Sequence, residues 1–141
     1  MNYERTHWRD EWISAEHRRW GDQLWWFDVD WCVIEYYGER PVLLVDYIRI
    51  IARPYLDPEN VGLKALGWLA SCGRIPFIIA LYDADALPEP SFEIIPINKI
   101  AKKNFGNGRV MGRREYVTLL YELRKIVMNN YFRRKLDELE N

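Results

Sequence analysis

The mostly apolar stretch from residue 24 to residue 50 carries several carboxylates whose spacing suggests a shared site: Asp28, Asp30, Glu35 and Asp46. Side chains alternate along a β-strand, so Asp28 and Asp30 share one face if this stretch forms a hairpin. A turn centred on Gly38 would place Asp30 directly opposite Asp46 on the second strand. The question raised by this pattern is which cation accompanies the two opposed acids.

Directly opposed side chains in a hairpin have Cβ atoms about 4.5–5.5 Å apart. Two carboxylates at that distance repel and raise each other's pKa unless a cation bridges them. Carboxylate oxygens are the ligands that Mg²⁺ prefers in proteins. We therefore predict a magnesium site at Asp30 and Asp46, with Asp28 as a further ligand. A slip of one residue in the register would place the two acids on opposite faces.

Each of these acids also has a simpler interpretation. Asp28 lies near the start of a strand, where water can solvate it. Asp46 lies inside an apolar strand, where an unpaired charge is costly, and an arginine such as Arg49, or one from a helix, would neutralise it. Glu35 has the opposite parity from Asp30, so we predict that Glu35 lies at the surface.

The elements that position these acids follow from apolar periodicity and from the placement of Gly, Pro and Asn. The second hairpin strand is almost wholly apolar, which is typical of a central strand covered on both faces. Together the elements predict an α/β domain in which a small mixed β-sheet is flanked by helices. In chain order we predict a helix at 4–20, strands at 25–36 and 41–51, a helix that Asp57 caps before Pro58 and that ends at Gly73, and a strand at 75–82. A strand at 91–97 follows, which Pro96 marks as an edge strand, and then a short helix capped by Asn98 and a flexible segment at 106–112. The final helix starts at about Arg113 and carries an apolar stripe: Tyr116, Leu119, Leu120, Leu123 and Val127.

A helix followed by an acidic hairpin, a second helix and a further strand resembles the PD-(D/E)XK, or restriction-endonuclease-like, nuclease superfamily. The segments LWWFDVDW, RPVLLVDYIRI, LKALGWLASCGRIPFIIALY and FEIIPIN carry the likeness, which covers about residues 4–98 and looks like a phage-borne branch of small proteins. The resemblance implies a restriction-endonuclease-like core and a Mg²⁺ cofactor, or no cofactor if the site is inactive. It also implies that Asp30 (or Asp28) and Asp46 are the two acids of the motif.

The chain departs from that motif where the superfamily has its lysine, because Ile48 occupies the position. In such nucleases the metal and the lysine together activate water and stabilise charge on the phosphate, and isoleucine does neither. Lys64 is the candidate for a relocated ammonium, and the resemblance also implies Glu16 as a metal ligand. An ordinary exposed helical position is the alternative interpretation of both Lys64 and Glu16.

A cluster of basic residues surrounds a glycine-rich stretch late in the chain. A basic loop before a helix N-terminus suits phosphate contact, although the same cations would also balance nearby acids. We predict nucleic-acid contacts at Lys99, Lys102, Lys103, Arg109, Arg113 and Arg114.

The composition limits the class of protein. Hydrophobic residues make up 49% of the 141 residues, which argues against disorder. The length of 141 residues fits one domain at 1–141, with a core at about 4–128 and a charged C-terminal tail at 129–141. The net charge of -1 means that nucleic-acid binding would need a local basic face.

The compartment is predicted from the apolar runs, the N-terminus and the cysteines. No apolar run has the roughly 20 residues of a membrane helix, so we expect no membrane partner. The charged N-terminus is unlike a signal peptide. Cys32 and Cys72 lie in apolar segments, and we predict that they are buried, reduced thiols in a cytoplasmic protein.

Three functions fit these observations. The first is a non-catalytic phage-type protein that binds nucleic acid, or a nucleic-acid-processing complex of host defence, and the missing motif lysine favours it. The second is an active Mg²⁺-dependent nuclease that uses Asp30, Asp46 and Lys64. The third is a protein-interaction module or homodimer without a nucleic-acid role.

Overall fold

The computed structural model describes residues 11–21, 23, 29–106 and 108–140. Asp28, the first part of the strand expected at 25–36 and the first part of the helix expected at 4–20 lie outside these residues. The described elements are α1 (Glu11–Arg19), β1 (Trp31–Glu35), β2 (Arg40–Arg49), a 3₁₀ turn (Ile50–Tyr55), α2 (Val61–Cys72), β3 (Phe77–Asp83), β4 (Ser91–Pro96), α3 (Lys99–Phe105), β5 (Arg109–Gly112) and α4 (Arg113–Glu140).

The described strands form one five-stranded sheet in the order β1-β2-β3-β4-β5. Strands β2 and β3 are parallel, and the other neighbouring pairs are antiparallel. A parallel pair needs a crossover connection, which the 3₁₀ turn and α2 supply here. The fold is therefore α/β, with a mixed sheet flanked by helices, as the element order predicts.

The two faces of the sheet are covered by different helices. On one face, which we call the α2 face, Leu44, Phe77, Ile79 and Leu81 pack with the buried side chains of α2. On the other, the α4 face, the core contains buried residues from β2, β3 and β4 together with α3 and α4. The face that a strand residue occupies therefore decides which helix it meets.

Helix α4 forms the largest part of the cover on its face. The predicted apolar stripe is confirmed, because Tyr116 is buried and the remaining stripe residues pack on the same core: Leu119, Leu120, Leu123 and Val127. The helix continues for 28 residues, which corresponds to about 42 Å. The segment predicted as a charged tail is thus helical through Glu140, and residues 132–140 are exposed.

Several local predictions are wrong for identifiable reasons. Asp57 does not cap α2; its carboxylate accepts from the backbone of Glu59 instead. The cap is Asn60, whose side chain accepts from the N–H of Gly62 at 2.9 Å. Asn98 does cap α3, as predicted, by accepting from Ala101 at 2.9 Å.

The segment predicted as flexible at 106–112 contains strand β5, which pairs with β4. Strand β4 is therefore not an edge strand among the described strands, contrary to the prediction drawn from Pro96. Cys32 and Cys72 are exposed free thiols rather than buried ones. Cys32 lies on β1, which is at an edge of the described sheet, and Cys72 lies in the last turn of α2.

None of the described helices is both long enough and apolar enough to cross a membrane.

Candidate carboxylate site

The register of the first hairpin brings the two predicted acids together. Trp31 pairs with Val45 and Cys32 pairs with Leu44, which is the register expected for a turn centred on Gly38. Asp30 precedes Trp31 and so lies across from Asp46, and the two side chains are hydrogen bonded to each other. The predicted meeting of Asp30 and Asp46 is therefore confirmed, on the α2 face of the sheet.

The environment of Asp46 favours its protonated form. Burial is the largest cause, followed by the hydrogen bond to Asp30 and by the negative charge of Asp30, and together they raise the pKa of Asp46 to about 7. A carboxyl can donate a hydrogen bond to a carboxylate only when it is protonated. Near neutral pH the two acids therefore share a proton, unless a cation replaces that proton.

Asp46 lines an open cavity of about 260 Å³ between the sheet and the start of α2. Its wall combines acidic, amide and apolar side chains. The lining residues are Asp46, Ile48, Ala52, Tyr55, Leu56, Asp57, Asn60 and Leu63. The cavity gives solvent and small ions a path to the Asp46 carboxyl, which is only half-buried.

Ile48 lies beside Asp46 on the same face, where the motif of the resembled superfamily has lysine. It lines the cavity and packs partly against the α2 core. The structure thus places an aliphatic side chain next to the acid pair. A hydrocarbon at this position cannot balance a carboxylate, which adds to the burial that raises the pKa of Asp46.

Lys64 does not supply a replacement at this site. Its ammonium lies 2.5 Å from the Glu59 carboxylate on the exposed side of α2, and this contact raises the pKa of Lys64. Leu63, which precedes Lys64 in the chain, lines the cavity, whereas Lys64 does not. The structure therefore does not bring Lys64 to the acids in the way that a relocated catalytic lysine would require.

The predicted metal ligands are only partly assembled. Glu16 pairs with Arg19 at 3.1 Å on α1, and no group of three or more His, Cys, Asp or Glu residues suited to a metal occurs among the described residues. Asp28 lies outside them. The described part of the site offers the oxygens of Asp30 and Asp46, which are the ligand type for a hard divalent cation.

The arginines near this site are engaged by other residues. Arg49, proposed as a partner of Asp46, donates to the Tyr82 hydroxyl at 3.2 Å. Arg53, from the 3₁₀ turn, forms an ion pair with Glu93, which pairs in the sheet with Leu81. The sequence does not reveal the Arg53–Glu93 pair, because Arg53 follows β2 and Glu93 lies on β4, and β3 separates these two strands in the sheet.

The predicted nucleic-acid-binding residues lie elsewhere. All six are exposed, on α3, β5 and the first turn of α4: Lys99, Lys102, Lys103, Arg109, Arg113 and Arg114. Arg109 forms an ion pair with Glu115. Helix α3 packs through Ala101 and Phe105 into the core of the α4 face. The structure therefore does not unite the basic helix α3 with the carboxylate pair, because they belong to opposite faces of the sheet.

The prediction that Glu35 lies at the surface is wrong, because its side chain is fully buried. Its carboxylate accepts from the N–H groups of Tyr37 at 3.0 Å and Gly38 at 2.6 Å, and Arg124 lies 3.8 Å away. Glu35 does lie on the opposite face of the sheet from Asp30, as the alternation of side chains along the strand predicts. The opposite face is covered by α4 instead of water, and no local pattern in the hairpin reveals that cover.

We found no match to the chain among protein-family models, curated proteins or solved structures. The resemblance to the PD-(D/E)XK superfamily accordingly stays a prediction.

Proposed function

We propose that this protein binds nucleic acid, or a nucleic-acid-processing complex of host defence, without cutting, on a nuclease-like fold of phage type. The observation that carries the proposal is the composition of the carboxylate site. Asp30 and Asp46 meet at the register expected for the motif, and Ile48 stands where the ammonium would be. The acid pair is retained while its cationic partner is absent from the motif position.

The loss of that ammonium would remove most of the cutting activity. Phosphodiester cleavage needs positive charge where negative charge develops, and losing one preorganised group of this kind costs about 10²–10³ in rate. The ammonium of Lys64 is held by Glu59, so it would have to leave that partner to act at the acids. Binding without cleavage is the use that agrees with this arrangement.

The exposed cations on α3, β5 and α4 support the binding part of the proposal. No acidic residue occurs in the sequence from Ile94 to Arg114, while the six predicted contact residues fall within that range. Phosphate contacts by Lys and Arg supply most of the sequence-independent affinity for nucleic acid. Because these cations lie apart from the acid pair, the bound strand does not need to reach the carboxylates.

Binding is tested by fluorescence anisotropy with labelled DNA and RNA, as duplexes and as single strands of about 20 nucleotides. Affinity should fall steeply between about 50 and 200 mM salt, because phosphate contacts release counterions. The double substitution Lys102→Glu and Lys103→Glu should weaken binding at least about tenfold and reduce the salt dependence.

The matched control is Arg133→Glu with Arg134→Glu, which changes the charge equally on the exposed far part of α4. It should retain the wild-type affinity. Wild-type protein that binds no DNA or RNA at low salt contradicts direct nucleic-acid binding. Equal losses in both double variants would contradict the assignment of the contact surface to α3.

A live Mg²⁺-dependent nuclease is the second candidate, and the raised pKa of Asp46 favours it. A carboxyl pair that holds a proton near pH 7 is also a pair that a divalent cation can occupy by displacing that proton. The test is incubation of plasmid, linear duplex and single-stranded substrates with Mg²⁺ or Mn²⁺. Cleavage that Asp46→Asn abolishes would replace our proposal with this one.

A further inference from the structure

A second open cavity lies on the α4 face, between β1 and α4. Its volume is about 470 Å³, and its lining combines one arginine with two tyrosines and two aliphatic residues: Val33, Tyr36, Leu120, Tyr121 and Arg124. Small-molecule sites in proteins typically occupy about 300–1,000 Å³, with mostly apolar walls and a few polar groups. The cavity has this size and this composition, and neither the carboxylate pair nor helix α3 contributes to it.

The position of Arg124 is set by two neighbours. Its guanidinium lies 3.8 Å from the buried carboxylate of Glu35 and 5.4 Å from the centre of the Tyr36 ring. Glu35 is itself held by the N–H groups of Tyr37 and Gly38. An arginine between a fixed carboxylate and an aromatic face keeps its planar group in one orientation, so the charge in this cavity is preorganised.

The donors of Arg124 remain available to a ligand. The distance of 3.8 Å to Glu35 is longer than a hydrogen bond, and the described residues offer Arg124 no closer acceptor. The Arg124 side chain is 28% exposed and that of Glu35 is fully buried. An anion that enters from solvent therefore meets the guanidinium and not the carboxylate.

We propose that this cavity binds a nucleotide, with the phosphate on Arg124 and the base against the exposed ring of Tyr121. Arginine matches the geometry of phosphate oxygens, and bases stack on aromatic side chains regardless of sequence. The nucleotide is either a free mononucleotide or an unpaired residue of a single strand. This inference goes beyond the proposed function, because it uses none of the basic residues of α3.

Binding is measured by isothermal titration calorimetry with three probes: AMP, adenosine and a deoxyadenosine oligomer of about 10 nucleotides. AMP should bind at one site and adenosine should bind at least about tenfold more weakly, because it lacks the phosphate. A higher affinity for the oligomer than for AMP identifies the single strand as the source, whereas equal affinity identifies the free nucleotide.

Substitutions then assign the site. Arg124→Gln should weaken AMP binding at least about tenfold, and Arg124→Lys should weaken it nearly as much because an ammonium does not reproduce the planar contact. Tyr121→Ala should weaken it about fivefold or more through lost stacking. Tyr121 is largely exposed, so this variant tests the site even if the Arg124 variants fold poorly.

Two controls complete the test. Lys125→Gln removes a charge from the exposed neighbouring position on α4 and should leave AMP binding unchanged. Lys102→Glu with Lys103→Glu should also leave it unchanged, which separates this site from the proposed basic surface. Absence of saturable binding of both AMP and the oligomer, or wild-type affinity in both Arg124→Gln and Tyr121→Ala, overturns the inference.

Discussion

On the α4 face of the sheet, the carboxylate of Glu35 accepts two backbone hydrogen bonds and lies beside Arg124. On the α2 face, by contrast, the partner of Asp46 is another acid, Asp30. The first arrangement stabilises a buried negative charge with donors. The second neutralises the charge by keeping a proton. The same sheet therefore carries one acid whose charge is stabilised by donors and one pair of acids that shares a proton.

The polar groups on the α4 face are also joined to each other. The hydroxyls of Tyr47 and Tyr116 are 2.6 Å apart, and the Tyr116 ring stacks on Phe92 at 4.5 Å. Burial raises the pKa of both tyrosines, so both stay neutral at physiological pH. These tyrosine contacts help to hold α4 on the sheet, and we expect the acid pair on the α2 face to be the group that responds to pH and to divalent cations.

The largest effect is expected from Glu35→Ala. The substitution leaves two backbone N–H groups without their acceptor and removes the negative charge beside Arg124, and breaking a buried ion pair costs about 3–5 kcal/mol. Because Arg124 is partly exposed and lies 3.8 Å away, we expect about 3 kcal/mol of lost free energy of unfolding. Urea denaturation measures it. Glu122→Ala, at an exposed position on α4, is the control, and equal stability of the two variants would contradict the role assigned to Glu35.

A smaller effect of opposite sign is expected from Asp46→Asn. The pKa of about 7 in the folded protein lies above the ordinary aspartate value of 3.8, so the folded protein holds a proton that the unfolded chain has released. Wild-type stability should therefore fall as pH rises from about 4 to about 7. Asparagine imitates the protonated acid, and the variant should gain about 2 kcal/mol over wild type at pH 8, discounted for the exposed half of Asp46.

Thermal denaturation across this pH range checks the prediction for Asp46. The stability difference between variant and wild type should nearly vanish when the range is extended to about pH 3, where Asp46 is mostly protonated in both the unfolded and the folded protein. A difference that does not change with pH would show that Asp46 and Asp30 do not share a proton.

Divalent cations should stabilise the wild-type protein by a still smaller amount. At pH 7.5, Mn²⁺ at about ten times its dissociation constant would add about 1.4 kcal/mol, seen as a rise of a few degrees in Tm. Asp46→Asn should abolish the rise and Glu16→Gln should not, since Glu16 pairs with Arg19. A Tm that does not respond to Mn²⁺ would show that the acid pair binds a proton but no divalent cation.

The smallest effect is expected from Lys64→Ala. Lys64 and Glu59 form an exposed pair on α2, and such pairs add little to stability. Neither Tm nor the response to Mn²⁺ should change measurably. Loss of the Mn²⁺ response in this variant would return Lys64 to the carboxylate site and would favour the nuclease.

The sequence predicted those parts of the molecule that follow from local chemistry. Side-chain alternation placed Asp30 and Asp46 on one face, and the side-chain oxygen of Asn98 set the start of α3. The pairing of Asp30 with Asp46 also needs a one-residue shift of the ladder between Val33 and Ile34, which the turn at Gly38 does not predict. Apolar spacing identified the buried side of α4. In each case a short stretch contains all of the residues that decide the outcome.

Features decided by distant contacts were not predictable. Strand β5 has only four residues beside glycines, and it becomes a strand because β4 offers an edge. Glu35 is buried because α4, almost ninety residues later in the chain, covers its side of the hairpin. The separation of the basic residues from the acid pair likewise depends on which face α3 covers.

The parallel pairing of β2 with β3 constrains how the sheet assembles. Strands β1 and β2 form one antiparallel pair close in sequence, and β3 and β4 form another. To pair β2 with β3, the chain has to close a loop that contains the 3₁₀ turn and α2. Such long-range pairing is slow because loop entropy is lost before the contacts form. Refolding kinetics should therefore be limited by the docking of two preformed hairpins, and the acid pair beside that seam reaches its buried state only in the last step.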